Sequence, residues 1–113
     1  MNLLDDVCLT NLSPLDGRYF NKTTELKPYF TEFSLIKYRI YIEIEYFIEL
    51  CDTLYRFNKE KFKLALNKNE IEYLRNIYIN FSLEDAVRIK QIERDTNHDV
   101  KAIEYFLSIK IIK

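Results

Sequence analysis

Apolar residues recur every three or four positions through most of the chain, which is the spacing of an amphipathic helix. The longest such stripe starts near Thr31 and predicts a helix that continues to about Leu54. Residues 40–46 also alternate between apolar and polar, as a strand would, but the helical stripe is much longer and favours a helix. We expect the aromatic residues of this helix to lie in the core. The stripe consists of Phe33, Ile36, Ile40, Ile44, Phe47, Cys51 and Leu54.

The same spacing predicts three further helices. One runs from about Asn69 to Phe81, and a second begins at Ser82, a residue type that caps helices, and ends near Asp95. The last starts around Asn97, with Thr96 and Asp99 placed as a cap for its free backbone N–H groups. A short helix is also expected around Phe62, Ala65 and Leu66.

Composition supports an all-α fold. The only glycine and both prolines lie in the first 28 residues, so little material remains for the tight turns of a β fold. The length of 113 residues fits one domain. We expect residues 1–22 to form an irregular arm with a turn at 13–17, and residues 23–113 to form helices. The apolar end of the chain resembles a cut helix, so we expect a fragment of a longer protein.

Charge and cysteine content exclude several classes of function. Lys and Arg number 17 against 18 Asp and Glu, so no broad basic surface for nucleic acid is expected. Cys8 and Cys51 lack the paired spacing of a zinc site, and we expect reduced thiols and no metal site. No apolar run is long enough to span a membrane, and the acidic start is not a signal peptide. The expected location is the cytoplasm.

Two short polar stretches could carry chemistry. Arg18 and Tyr19 follow the turn and offer forked donors and a phenol that suit a phosphate. Asn97, His98 and Asp99 stand at the mouth of the last helix, where a ribose hydroxyl suits the carboxylate better than a phosphate does. From the residues alone, a surface turn and a plain helix cap are the favoured interpretations of the two stretches. With one histidine, the chain shows no complete catalytic set.

Four segments resemble the adenylosuccinate lyases of the fumarase/aspartase superfamily. The two end segments, LSPLDGRY and IKQIERDTNHDVKAIEYFL, are the more specific, and all four occur in collinear order. The segments are residues 12–19, 33–39, 81–86 and 89–107.

The resemblance implies an N-terminal helical domain of a lyase that eliminates fumarate from adenylosuccinate and from the succinyl-carboxamide intermediate of purine biosynthesis. No cofactor is implied. Arg18 and Tyr19 would hold the nucleotide phosphate, and Asn97, His98 and Asp99 would line the substrate site. His98 would either position the substrate or act as an acid. We expect the two groups of residues to meet across a shared pocket.

The resemblance also implies partners and a missing part. Family members form homotetramers through a long helical bundle. This chain has no counterpart of that bundle, and it also lacks the residues that usually act as acid and base in the family. We therefore expect the isolated segment to be inactive. Two alternatives stay open: a non-catalytic helical interaction module, and another lyase of the superfamily, such as one that acts on argininosuccinate.

Overall fold

The computed structural model describes residues 8–61 and 65–112. The chain divides into two compact units, with the boundary between Ser34 and Leu35. All regular structure in the described residues is helical, so the predicted all-α fold is confirmed. The helices are α1 (Lys27–Phe30), α2 (Glu32–Phe57), α3 (Lys68–Ile79), α4 (Leu83–Thr96) and α5 (Asp99–Ile112), and two 3₁₀ turns, Phe20–Lys22 and Thr24–Leu26, precede them. Residues 8–10 are also helical.

Helix α2 is continuous through residues 40–46, so the helical interpretation is confirmed and the strand alternative is wrong. Thr31 precedes the helix, and its Oγ1 accepts a hydrogen bond from the Ser34 N–H at 3.2 Å. The buried Ser34 hydroxyl donates to the Lys27 carbonyl oxygen at 2.6 Å. The first of these bonds supplies a partner for an N–H group of the first turn, which explains the start near Thr31.

Side-chain caps set the starts of α3 and α4. Asn67 and Glu70 form a reciprocal capping box at the start of α3, one residue before the predicted start. At α4 the predicted cap is confirmed: the Asp85 N–H donates to Ser82 Oγ at 3.2 Å. The Ser82 N–H in turn donates to Asp85 Oδ2 at 3.1 Å. The shorter aspartate therefore completes the box as a glutamate would.

The most deeply buried large side chains of the second unit are isoleucines. Ile40 and Ile44 of α2 are buried with Ile89 of α4 and Ile103 of α5. The expectation that the aromatic residues of α2 are core is wrong for five of them, because side chains of the other helices fill the buried side. These exposed aromatic residues are Tyr38, Tyr41, Tyr46, Phe47 and Phe57.

The segment between α2 and α3 departs from the prediction. Phe62 lies outside the described residues, and Ala65 and Leu66 are not helical, so the short helix is wrong at these two positions. Asn58 follows the last turn of α2, and its Oδ1 accepts hydrogen bonds from the N–H groups of Glu60 and Lys61 at 3.1 and 3.0 Å. This asparagine favours a turn where the helix would otherwise continue.

Within residues 8–61 and 65–112, no helix is long and apolar enough to cross a membrane, and no cluster of side chains is suited to a metal ion. Both cysteines are free thiols, Cys8 exposed and Cys51 buried. Burial raises the pKa of the Cys51 thiol above its usual value. A buried neutral thiol behaves as a small apolar side chain.

A polar cluster joins α2 to α3. Arg75 Nε and Nη2 donate to the two carboxylate oxygens of Glu45 at 2.9 and 3.1 Å, and the Tyr78 hydroxyl donates to Glu45 Oε1 at 2.6 Å. These donors, Arg75 first, lower the pKa of Glu45, while burial and the hydrogen bond to Glu45 raise the pKa of Tyr78 to about 12. The Tyr41 ring contacts the Tyr78 ring edge-on at 4.9 Å.

The cluster predicts an acid-sensitive part of the stability. Because the pKa of Glu45 is lower in the fold than its usual 4.5, its contribution is present above pH 4.5 and is lost as the pH falls through the folded-state pKa. The difference in unfolding free energy between the wild type and Glu45→Gln should therefore shrink below pH 4.5. Urea denaturation over a pH series measures it. Glu49→Gln, one turn later on α2, is the control, and an equal pH dependence for both variants would contradict the prediction.

Candidate functional site

The predicted turn at residues 13–17 is present and is built from backbone hydrogen bonds. The Pro14 carbonyl oxygen accepts from the Gly17 and Tyr19 N–H groups at 3.2 and 2.9 Å, and the Ser13 carbonyl oxygen accepts from Asp16 N–H at 3.1 Å. The Asn11 side chain donates to the Asp16 carbonyl oxygen at 2.7 Å. These bonds fix the backbone direction immediately before Arg18.

Gly17 is required for space in this turn. Its φ is not positive, so the backbone torsions at this position do not require a glycine. A Cβ atom built at position 17 would lie 2.5 Å from the carbonyl oxygen of Cys8, which is closer than real Cβ atoms approach. The turn therefore packs against the backbone at Cys8 only because residue 17 has no side chain.

Arg18 and Tyr19 form one polar unit. Arg18 Nη2 donates to the Tyr19 hydroxyl oxygen, and the guanidinium carbon lies 4.5 Å from the centre of the Tyr19 ring. Since the phenol oxygen accepts from Arg18, the phenol O–H remains a donor. The remaining guanidinium donors and this O–H are suited to one anionic group such as a phosphate. Arg18 is exposed and Tyr19 is partly buried.

Asn97 occupies the joint between α4 and α5 with a left-handed backbone, φ 51° and ψ 33°. Its N–H donates to the Glu93 carbonyl oxygen at 2.7 Å and closes α4. Asparagine enters this region more readily than other residues with a side chain. Its exposed amide has no hydrogen-bond partner among the residues that the structure describes, so the amide is available to a ligand.

His98 is the cap of α5. The Lys101 N–H donates to His98 Nδ1 at 3.1 Å, and the Ala102 N–H donates to the His98 carbonyl oxygen at 3.1 Å. The expectation that Thr96 caps this helix is wrong, because Thr96 is the last residue of α4. Thr96 Oγ1 instead accepts from the His98 N–H at 3.3 Å and donates to the His98 carbonyl oxygen at 3.2 Å.

Asp99 is the first residue of α5, and both of its carboxylate oxygens have partners. Oδ1 accepts from the Val100 N–H at 2.8 Å, and Oδ2 lies 3.3 Å from Nη2 of Arg39 on α2. A carboxylate at the first turn also interacts favourably with the helix dipole. The free N–H groups of α5 are therefore largely taken by His98 and Asp99, which leaves little of this helix end for a phosphate.

The three side chains at this joint still offer groups to a ligand. The His98 side chain is 63% exposed and the Asp99 side chain 48% exposed. The groups not taken up by capping are the Asn97 amide and His98 Nε2. A hydroxyl or carboxylate of a polar ligand suits such a set.

Two residues at this joint were missed as contributors to the site. Arg39 lies 60 residues before Asp99 in the sequence, and only the packing of α2 against α5 brings the two together. Thr96 was assigned to the wrong helix. The sequence signal was the asparagine after it, because asparagine is one of the residues that commonly take the left-handed position at the end of a helix.

Arg18 and Tyr19 belong to the first unit, and Asn97, His98 and Asp99 belong to the second. Within each group the side chains are brought together as described. The predicted pocket shared by both groups stays a prediction.

Comparison with known proteins gives the family. No family model matches the chain. Adenylosuccinate lyase from Dictyostelium discoideum is 49% identical over 104 residues, and those from Haemophilus influenzae and Escherichia coli K12 are 48% and 46% identical over 103 residues. Each alignment covers 91% of this chain. The chain belongs to the adenylosuccinate lyase family. It spans about 22% of the length of these lyases, so it corresponds to only a part of each of them.

Proposed function

We propose that this chain is the N-terminal part of an adenylosuccinate lyase and supplies residues that bind the nucleotide substrate. The observation that carries the proposal is the identity of 46–49% over 91% of the chain with lyases of this one specificity. That specificity favours a purine nucleotide over argininosuccinate as the substrate.

The proposed reaction is a β-elimination. A base removes a proton beside a carboxylate of the succinyl group, the carbon–nitrogen bond breaks, and an acid protonates the departing nitrogen. Fumarate and AMP leave when the substrate is adenylosuccinate, and the succinyl-carboxamide intermediate reacts in the same way. The acid and base of this reaction belong to other parts of a full-length lyase.

Each group of residues in this chain has a proposed role. Arg18 and Tyr19 hold the phosphate, because a guanidinium and a phenol joined by one hydrogen bond offer several donors in a small space. Asn97, His98 and Asp99 orient the rest of the substrate through an amide, an imidazole and a carboxylate. In this role His98 positions the substrate.

The assembly and location of the full-length protein are proposals of the same kind. We expect a homotetramer in which several subunits build each active site, and we expect it in the cytoplasm. These expectations rest on the family resemblance.

A chimaera tests the proposed function. Residues 10–112 would replace the corresponding segment of the full-length Escherichia coli lyase, which is 46% identical over 103 residues. We expect the chimaera to release fumarate from adenylosuccinate at a rate near that of the parent, and ultraviolet absorbance measures this.

The isolated chain of 113 residues is the negative control, since it lacks the proposed acid and base. A chimaera that assembles like its parent but does not turn over would contradict the proposal. Fumarate release by the isolated chain near the parent's rate would contradict the assignment of the acid and base to other parts of the protein.

A further inference from the structure

The bond that caps α5 determines which ring nitrogen of His98 carries the proton. The Lys101 N–H donates to Nδ1 at 3.1 Å, so Nδ1 must present its lone pair. A neutral imidazole has one proton, which then lies on Nε2. The helix cap and the histidine tautomer are therefore linked.

The backbone around His98 holds the ring in this arrangement. Thr96 Oγ1 bonds both the N–H and the carbonyl oxygen of His98, at 3.3 and 3.2 Å. The Ala102 N–H bonds the same carbonyl oxygen at 3.1 Å. A 180° rotation of the ring about the Cβ–Cγ bond would place Cδ2–H where Nδ1 lies and leave the Lys101 N–H without its acceptor. A proton on Nδ1 would face the same N–H group, so the cap disfavours the other tautomer.

The charged groups near the ring oppose each other in part. Asp99 Oδ1 lies 3.8 Å from Nδ1 and would attract a proton to that nitrogen. That carboxylate already pairs with Arg39 through its other oxygen at 3.3 Å. The Lys101 ammonium is engaged by Glu104 at 2.9 Å. A proton at Nδ1 would also break the cap, so the contacts of the ring favour an unprotonated Nδ1.

We propose that the cap locks neutral His98 in the Nε2–H tautomer, so that the residue meets the substrate as a hydrogen-bond donor and not as a base. The inference rests on the proposed function for its ligand, an oxygen acceptor such as a carboxylate or hydroxyl of the nucleotide substrate. The tautomer itself follows from the contacts of α5. His98 is thus a positioning residue whose donor is set by the helix that it caps.

Nitrogen-15 NMR of the 113-residue chain tests the tautomer directly, because His98 is its only histidine. At a pH where the ring is neutral, we expect Nδ1 to resonate as an unprotonated nitrogen and Nε2 as a protonated one. We expect the difference between the Nδ1 and Nε2 chemical shifts to be larger than in the same chain in urea, where the tautomers exchange freely. Equal separations in buffer and in urea, or a proton on Nδ1, would overturn the proposal.

Two substitutions of His98 in the chimaera distinguish its role as a helix cap from its role as a hydrogen-bond donor to the substrate. Asparagine places an acceptor where Nδ1 is and is a good helix cap, but it does not reach the position of Nε2. Glutamine reaches that position with an N–H donor but is a poor cap. We expect His98→Asn to preserve the unfolding midpoint and lower kcat/KM about tenfold, the loss of one hydrogen bond. We expect His98→Gln to raise the unfolding equilibrium constant about fivefold and keep more of kcat/KM.

The opposite pattern, with activity kept by asparagine and lost by glutamine, would show a purely structural role and overturn the donor role. In either case the unsubstituted chimaera still reports on the proposed function. Fumarate release by that chimaera together with a wrong tautomer would refute this inference alone. A chimaera that is inactive but has the expected tautomer would refute only the proposed function.

Discussion

Replacing Arg18 with methionine in the chimaera is expected to raise the KM for adenylosuccinate and leave kcat nearly unchanged. The proposed phosphate contact is remote from the bond that breaks, so its loss weakens ground state and transition state alike. Charge-assisted hydrogen bonds contribute about 1.5–3 kcal/mol, so kcat/KM should fall about 10- to 150-fold. Steady-state kinetics of fumarate release measure both constants.

Two controls accompany this variant. Arg18→Lys keeps the positive charge but loses the forked donors, so it should lie between the wild type and methionine. Arg56→Met removes an exposed arginine near the end of α2, whose partner is Asp52 at 3.0 Å, and should leave the kinetics unchanged. A fall in kcat with an unchanged KM for Arg18→Met would contradict the phosphate role.

Ile40→Ala should destabilise the chain by about 2–5 kcal/mol, the usual range when a buried isoleucine is truncated to alanine. Ile40 is 0% exposed and lies on the aliphatic side of α2 that packs into the core. The lost side chain leaves a cavity that the surrounding isoleucines cannot fill. Urea denaturation followed by circular dichroism measures the change in the free energy of unfolding.

Ile42→Ala is the matched control, because Ile42 is in the same helix, has the same side chain and is 62% exposed. Its cost should stay within about 0.5 kcal/mol, as for most surface substitutions. Similar losses of unfolding free energy for the two variants would contradict the placement of Ile40 on the buried side of α2.

Most helices of this fold could be predicted from the sequence, because the apolar periodicity and the capping residues indicate the same segments. The stripe from Phe33 to Leu54 and the cap at Ser82 both predict the helices that are present. The exposed side of α2 was less readable. An aromatic residue such as Tyr46 fits either a core or a surface, and its burial depends on which helices pack beside it.

The residues of the candidate site could be predicted from the sequence more fully than the contacts that each of them makes. Asn97, His98 and Asp99 were placed correctly at a helix mouth, but their individual bonds depend on where α4 ends. A left-handed residue at 97 moves the start of α5 to Asp99 and makes His98 the cap in place of Thr96. The pairing of Asp99 with Arg39 could not be read from the sequence, because it depends on helix packing.

The left-handed backbone at Asn97 limits how this joint can vary during evolution. Glycine would adopt the same torsions without strain but would remove the amide, whereas a branched residue such as valine would be strained there. Backbone geometry therefore restricts which residues can replace Asn97, independently of any effect on ligand recognition. A glycine found there in a homologue would mark a lineage that kept the bend between the helices and gave up the amide.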